Sequence, residues 1–212
     1  TIRVVVIAGS GAAFCAGHDL KEMRAHNDPA FHSALFAQCG QVMLTINRLP
    51  QPVIARVHGI ATAAGCQLVA ACDLAVASDN ARFAVSGINV GLFCSTPGVA
   101  LSRNLGRKQA LEMLLTGEFI DAPTAQRQGL INRVTPLEQL DAEIWRLADA
   151  ICGKSSLAIR MGKELFYRQL GLPLEEAYAC ASEAMACNMN SEDAREGIDA
   201  FIAKRKPTWK GC

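Results

Sequence analysis

Three short apolar runs, each closed by small or polar residues, constrain this chain more than any other feature. Residues 2–8, 53–57 and 74–77 are Val, Ile, Leu and Ala at odd and even positions alike, apart from Arg3 and Arg56. A strand that is apolar on both faces has to be covered on both, the condition of a parallel sheet between helices. Gly9-Ser10-Gly11, His58-Gly59 and Asp79-Asn80-Ala81 end the three runs. Between the first two, Phe31, Leu35, Phe36, Val42, Met43, Ile46 and Leu49 fall on one stripe of a helix that starts near Pro29 and stops at Pro50. Strand and helix alternate, so the pattern predicts an α/β fold.

The spacing predicts a loop over 12–19 leading into a short helical piece from Leu20. A small-residue turn, Ala61 to Gly65, feeds a helix over 66–72. A strand over 82–85 leads into a loop over 86–91, and helices are expected over 99–104 and 107–115. Asp121 ahead of Ala122-Pro123 marks a helix start, and Gly129 its end. A last strand is expected over 130–134. Beyond Pro136 only helical periodicity is left, over 137–151, 155–170, 173–189 and 192–206. Ser191 caps the last of these, with Glu192-Asp193 at its positive end. The expected organisation is an α/β core over 1–135 and a helical region over 136–212. At 212 residues, against roughly 150 per domain, this reads as one domain with a helical appendage.

Composition narrows the function. Half the residues are apolar and 19% are charged, which excludes disorder. A net charge of +1 leaves no basic excess to hold a nucleic acid or an anionic membrane. The terminal Lys204-Arg205-Lys206 has no interleaved aromatics on which bases could stack. No run has the length of a membrane span, because Asp73, Asp79 and Asn80 interrupt the most apolar region. The nine cysteines include no Cys-x-x-Cys, and His18, His26, His32 and His58 form no His-x-x-x-His. The cysteines therefore read as small buried hydrophobes of a reducing compartment, and no metal site is expected.

Three segments carry a family resemblance. The first is Ala13-Phe14-Cys15-Ala16-Gly17-His18-Asp19-Leu20. The second runs from Pro52-Val53-Ile54-Ala55-Arg56-Val57-His58-Gly59 through Gly65-Cys66-Gln67-Leu68 to Ala71-Cys72-Asp73. The third joins Ala81-Arg82-Phe83, Val90-Gly91-Leu92, Gly106-Arg107-Lys108-Gln109-Ala110 and Leu115-Thr116-Gly117-Glu118. In this order they resemble the crotonase superfamily, the enoyl-CoA hydratase/isomerase family, from residue 1 to about residue 206. The resemblance implies a crotonase (ClpP-like) fold of repeated ββα units with a C-terminal helical trimerisation region. It implies assembly as a homo-trimer or a dimer of trimers. It also implies a coenzyme A thioester as substrate or ligand, with no further cofactor. Two backbone N–H groups polarise the thioester carbonyl in such proteins; carried onto this chain, they belong to His18 and Ala64. A small-residue turn entering a helix fits that role, because it presents unpaired N–H groups and the positive end of the helix dipole.

The acid positions depart from the pattern. Hydratases of the family use two glutamates, and here Gln67 stands at the first position and Gly87 at the second. Gln67 cannot accept a proton at neutral pH and Gly87 has no side chain, whereas general acid–base catalysis requires a group that changes protonation state within reach. Efficient hydration is therefore not expected. Ser95 occupies the position where some isomerases place an acid, and Cys94-Ser95-Thr96-Pro97-Gly98 rewrites the wall beside the acyl group. Ala16, Lys21, Cys94, Ser95 and Glu118 are the candidate substrate-binding residues. The His18 imidazole, Glu22, His26 and Asp121 are further candidates for proton transfer, and Lys21, Arg56 and 204–206 for CoA phosphates.

The leading expectation is an acyl-CoA-binding member of the family with a backbone oxyanion hole. The alternatives are a decarboxylase, or other enolate or thioester chemistry on a small acyl-CoA, and a non-catalytic acyl-CoA-binding protein. The setting expected is cytoplasmic in a bacterium and the mitochondrial matrix in a eukaryote. The resemblance also implies further strands and a helix ahead of Ile2.

Overall fold

A computed structural model describes residues 2–212; Thr1 lies outside the described residues. The chain resolves into two compact units. One is α/β, formed by 6–47 and 53–145, and the other is helical, formed by 2–5, 48–52 and 146–212. Residues 136–145 thus pack with the α/β unit.

In the α/β unit the strands come in pairs. β1 (Val5–Ala8) is followed by β2 (Ala13–Cys15), β3 (Val53–Val57) by β4 (Ile60–Thr62), and β5 (Leu74–Ser78) by β6 (Arg82–Ala84). First members enter one sheet in the order β1-β3-β5, second members another in the order β2-β4-β6. β3 pairs parallel with β5, and β4 parallel with β6. The first sheet is completed by β8 (Arg133–Thr135), parallel to β5, and the second by β7 (Ile120–Asp121), antiparallel to β6. Helices close each repeat: α1 (Leu20–Ala25) and α2 (Pro29–Arg48), then α3 (Ala64–Ala71), then α4 (Ser95–Asn104) and α5 (Arg107–Thr116), with α6 (Ala122–Gln128) between β7 and β8. This is the expected succession of ββα units.

β3 and β5 are the apolar centre, with Val53, Ile54, Ala55, Val57, Val76 and Ala77 wholly buried. β2 and β4 fall where the sequence predicts a loop and a small-residue turn. Three-residue strands of small residues carry no periodicity; their pairing partners are what make them strands. The amphipathic stripe of α2 also differs from expectation, because Ile46 is its one buried residue. Asp121 caps α6 through the Thr124 N–H at 2.8 Å, and Gly129 ends it in the left-handed conformation.

The helical unit contains the end of α7 (Leu140–Cys152), then α8 (Ser156–Gln169), α9 (Leu174–Met189) and α10 (Glu192–Ile202). Ser155 and Ser191 cap α8 and α10. α10 stops four residues short of Lys206, and the chain then folds back along it. Asp193 accepts from the Ser155 hydroxyl at 2.6 Å and from the Lys210 and Gly211 amides. Glu196 takes both Arg205 nitrogens, at 2.6 and 2.8 Å, and the Thr208 N–H at 2.8 Å. Those bonds hold the Glu196 carboxyl down at about 2. A carboxylate held below its ordinary 4.5 stabilises the fold above that value, and the contribution is lost as pH falls towards about 2. The tail is therefore expected to detach within that window. Trp209, whose indole N–H donates to the Gly153 carbonyl at 2.8 Å, reports the event. Its emission should shift to the red below pH 4.5, measured against a Trp209→Phe blank; a tail that stays docked at pH 2 would contradict this.

Candidate functional site

The α/β unit brings the end of β2 against the first turn of α3. Gly65, the second residue of α3, is the reason they touch: a methyl group there would lie 2.0 Å from the Cys15 carbonyl oxygen. The chain then crosses the helix end. Gly17 has φ +93°, and a methyl on it would lie 3.0 Å from the Ala63 Cβ and 3.2 Å from the Ala64 nitrogen. The Gly17-His18 peptide thus passes over the start of α3. Just beyond, the Asp19 carboxylate caps α1 through the Lys21 N–H at 2.8 Å and the Glu22 N–H at 3.3 Å.

The turn into α3 is strained at Ala63, which has φ 50° and ψ −121° and provides no side-chain cap. Its N–H donates to Ala84 of β6 and its carbonyl accepts from Gln67, both at 3.1 Å. Pinned at both ends, the residue holds a conformation that suits glycine better. The positive φ falls on Ala63, and Ala64 begins the helix. First-turn N–H groups have no acceptor within a helix. Neither the Ala64 nor the His18 N–H has an acceptor among the described residues. Two free donors therefore lie beside each other at the positive end of α3. Strain of this kind costs roughly 1–3 kcal/mol, so Ala63→Gly is expected to raise stability by about 1 kcal/mol after the entropy of glycine is deducted. Urea denaturation checks it; a destabilised variant would mean that Ala63 is unstrained.

His18 is half-buried, with its ring edge-on to Phe36 of α2 at 5.5 Å between centroids. Gln67 is 3% exposed, and the Cys39 thiol of α2 donates to its Oε1 at 3.8 Å. Burial, then the neighbouring Cys15, pushes the Cys39 thiol up. Burial, then Cys94, pushes Cys66 up to about 12. Cys39 and Cys66 are therefore protonated thiols and not nucleophiles.

Gly87 lies in a 3-10 turn, Ser86–Val90, whose Gly87 carbonyl accepts from the Leu92 N–H at 2.9 Å. A Cβ on Gly87 would lie 2.6 Å from the Leu92 carbonyl oxygen and 2.8 Å from the Cys94 sulfur. The loop has closed over the space an acid would occupy. Cys94 is buried, while Ser95, at the start of α4, is exposed and its hydroxyl donates to the Phe93 carbonyl at 3.3 Å.

Ala16, Lys21 and Glu118 are exposed. Asp121 serves as a cap. His26 stacks on Phe31 at 4.7 Å, at the end of α1. Arg56 pairs with Asp141, and Arg205 with Glu196 in the helical unit. The residues the structure brings together are therefore Gly17-His18, Ala63-Ala64 and Gln67, with Cys15 and Cys39 behind them. Ala63 and Cys39 are missed by sequence reasoning: positive φ at alanine has no sequence signature, and Cys39 reads as one apolar residue among nine cysteines. No group of three or more His, Cys, Asp or Glu able to hold a metal occurs among the described residues. No helix among them is long and apolar enough to cross a membrane.

Residues 1–212 match the family model for enoyl-CoA hydratase/isomerase. The chain is 52% identical over 208 residues to the mitochondrial enoyl-CoA hydratase domain-containing protein 3 of Mus musculus, covering 98% of this chain and 69% of that protein. Among solved structures it resembles an enoyl-CoA hydratase of Mycobacterium smegmatis, with 63% identity and a TM-score of 0.96 over 98% of this chain and 80% of that one. It resembles human enoyl coenzyme A hydratase domain-containing protein 3 with 50% identity and a TM-score of 0.95, over 98% and 82%. With that match along its whole length, and with the ββα repeats and the helix-end turn in the same chain, the protein belongs to the enoyl-CoA hydratase/isomerase family.

Proposed function

We propose that this protein binds an acyl-CoA thioester and polarises its carbonyl with the backbone N–H groups of His18 and Ala64. The observation that carries this is the close crossing of Gly17 over Ala64, which leaves two unpaired donors side by side at the start of α3. Negative charge that develops on a thioester oxygen is stabilised there by two fixed dipoles and the helix end. Neither donor is a side chain, so the site does not depend on a titrating group.

Proton transfer is where the site parts from hydration. Gln67 offers an amide and Gly87 nothing. Chemistry that forms the enolate without a base suits this site best. Loss of CO2 from a carboxylated acyl group breaks a C–C bond and leaves its electron pair on the enolate, held by the two amides. Incubating the protein with a panel of acyl-CoA thioesters and following products by mass spectrometry tests the reading. Efficient hydration of crotonyl-CoA would overturn it. Micromolar binding with no turnover of any member would make the protein a non-catalytic acyl-CoA binder.

Restoring the acids is not expected to restore hydration. In Gln67→Glu, Gly87→Glu the second side chain meets the Leu92 carbonyl at 2.6 Å and the Cys94 sulfur at 2.8 Å. We expect a loss of about 1–3 kcal/mol in stability and less than roughly a tenfold gain in crotonyl-CoA hydration, far short of the 10²–10⁴-fold a positioned acid supplies. A hundredfold gain would show that the loop opens readily.

The helical region 136–212 is proposed to mediate a homo-trimer or a dimer of trimers. The support is a set of large apolar side chains on α8, α9 and the link between them, among them Phe166, Leu170, Leu174, Tyr178 and Met185, each more than half exposed. Light scattering on the purified protein distinguishes a monomer from a trimer or hexamer. The proposed setting is the cytoplasm in a bacterium and the mitochondrial matrix in a eukaryote; the name of the Mus musculus relative describes that protein as mitochondrial.

A further inference from the structure

The strained turn into α3 has a support that the backbone alone does not supply. Thr62, the last residue of β4, and Ser86, the first of the 3-10 turn, meet hydroxyl to hydroxyl at 2.8 Å. Both are half-buried, and neither side chain has another hydrogen-bond partner among the described residues. Register explains the meeting. Thr62 stands opposite Ala84 in the parallel β4–β6 pair, and the Ala63 N–H closes the ladder on the Ala84 carbonyl at 3.1 Å. Beyond that bond the two chains part. One enters α3 through Ala63, while the other passes the wholly buried Val85 into the 3-10 turn that carries Gly87. The hydroxyl pair ties them where they diverge, beside Ala63 on one side and beside Gly87 on the other.

The peptide between Ala63 and Ala64 is what this tie acts on. Its carbonyl accepts from the Gln67 N–H, and its own N–H is the free Ala64 donor. Both groups lie in one rigid plane, so the ψ of Ala63 sets the direction of each. At φ 50° and ψ −121° that residue is outside the regions an alanine favours. Such a conformation persists only where the surroundings over-determine it. Two backbone bonds hold the N–H and carbonyl of Ala63. The hydroxyl pair holds the residue before it, and so limits rotation of the Thr62-Ala63 peptide.

We infer that Thr62 and Ser86 are positioning residues: their hydroxyl pair aims the Ala64 N–H at the thioester oxygen and couples that donor to the loop over 86–92. This rests on the reading that the thioester carbonyl sits on the His18 and Ala64 amides. Neither hydroxyl touches the ligand; both act through Ala63. A hydrogen bond weakens steeply as its donor turns out of line, and a small misplacement is felt most where charge develops. Removing either hydroxyl frees the same bond, so the two residues should behave as one unit.

Infrared spectroscopy of the whole protein with butyryl-CoA, isotope-labelled at its carbonyl carbon, tests this beside calorimetric affinities. The parent protein should lower the carbonyl stretch of the bound thioester relative to the free one. Thr62→Val and Ser86→Ala should each keep less than about half of that shift, while affinity falls about threefold or less. The double variant should be no worse than either single one. Thr62→Ser keeps a hydroxyl and should keep the parent's shift. Single variants with the full shift, whatever they lose in stability, would overturn the inference and leave the thioester reading standing. So would losses that add in the double variant, or a Thr62→Ser protein that behaves like Thr62→Val. No shift in the parent, or no binding, would overturn both. Should Thr62→Val fail to fold, Ser86→Ala carries the test alone, since it removes the same bond from the loop side without altering the strand.

Discussion

Gly65→Ala is expected to destabilise the protein by about 4 kcal/mol, at the upper end of what one added methyl does. The methyl would lie 2.0 Å from the Cys15 carbonyl oxygen, 2.6 Å from its carbon and 2.8 Å from its Cβ. None of these atoms is the far end of a flexible side chain. Cys15 is held by β2 pairing with β4, where it stands opposite Ala61, and Gly65 is buried in the first turn of α3. Relief therefore requires the helix to draw back from the strand, which also separates the His18 and Ala64 amides. Gly162 is the control: it lies inside α8 with nothing within 4 Å of an added methyl. Gly162→Ala should be neutral or stabilising by up to about 1 kcal/mol, since helix propensity alone acts there. Urea denaturation of both variants gives the comparison. A Gly65→Ala protein within 1 kcal/mol of the parent would mean that β2 and α3 are not in this contact.

The contrast shows what could be read from the sequence. β3 and β5 are legible because burial on both faces leaves an unbroken apolar run, and α6 because Asp121 and Gly129 mark its ends. The tight turn at Ala63 is legible from the small residues around it, although Ala61 and Thr62 belong to β4 and Gly65 to α3. β2 and β4 are not legible: three residues of a strand define no period, and the strand exists through its neighbour. The stripe on α2 misleads in the other direction, since its periodicity is real while Ile46 alone is buried. At the site, the absence of both acids is plain in Gln67 and Gly87. That the Gly87 loop has closed is not, because the Leu92 carbonyl and the Cys94 sulfur reach it only through the fold. The positive φ of Ala63 lies beyond sequence reasoning for the same reason: the Ala84 carbonyl and the Gln67 N–H hold it there.

Ala64→Pro should separate activation of the thioester from affinity for it. Proline removes the N–H that the proposed site directs at the thioester oxygen, yet at the first position of a helix it breaks no helical hydrogen bond and its fixed φ suits the place. Removing one donor of such a pair typically costs about 10²–10³-fold in turnover. The ground-state carbonyl loses one neutral hydrogen bond, so affinity should fall about tenfold or less. Proline also restricts the residue before it, here the strained Ala63. The substitution is therefore made in an Ala63→Gly background as well, where the backbone adapts freely. A readout independent of turnover is the stretching frequency of the bound thioester carbonyl, lowered by two donors and less so by one. Loss of activation and carbonyl shift together, with affinity largely kept in both backgrounds, is the expected result. Equal losses in turnover and affinity, with an unchanged carbonyl frequency, would reduce this turn to a packing contact between strand and helix. The two outcomes differ because donor alignment matters most where charge develops, and packing acts on every bound state alike.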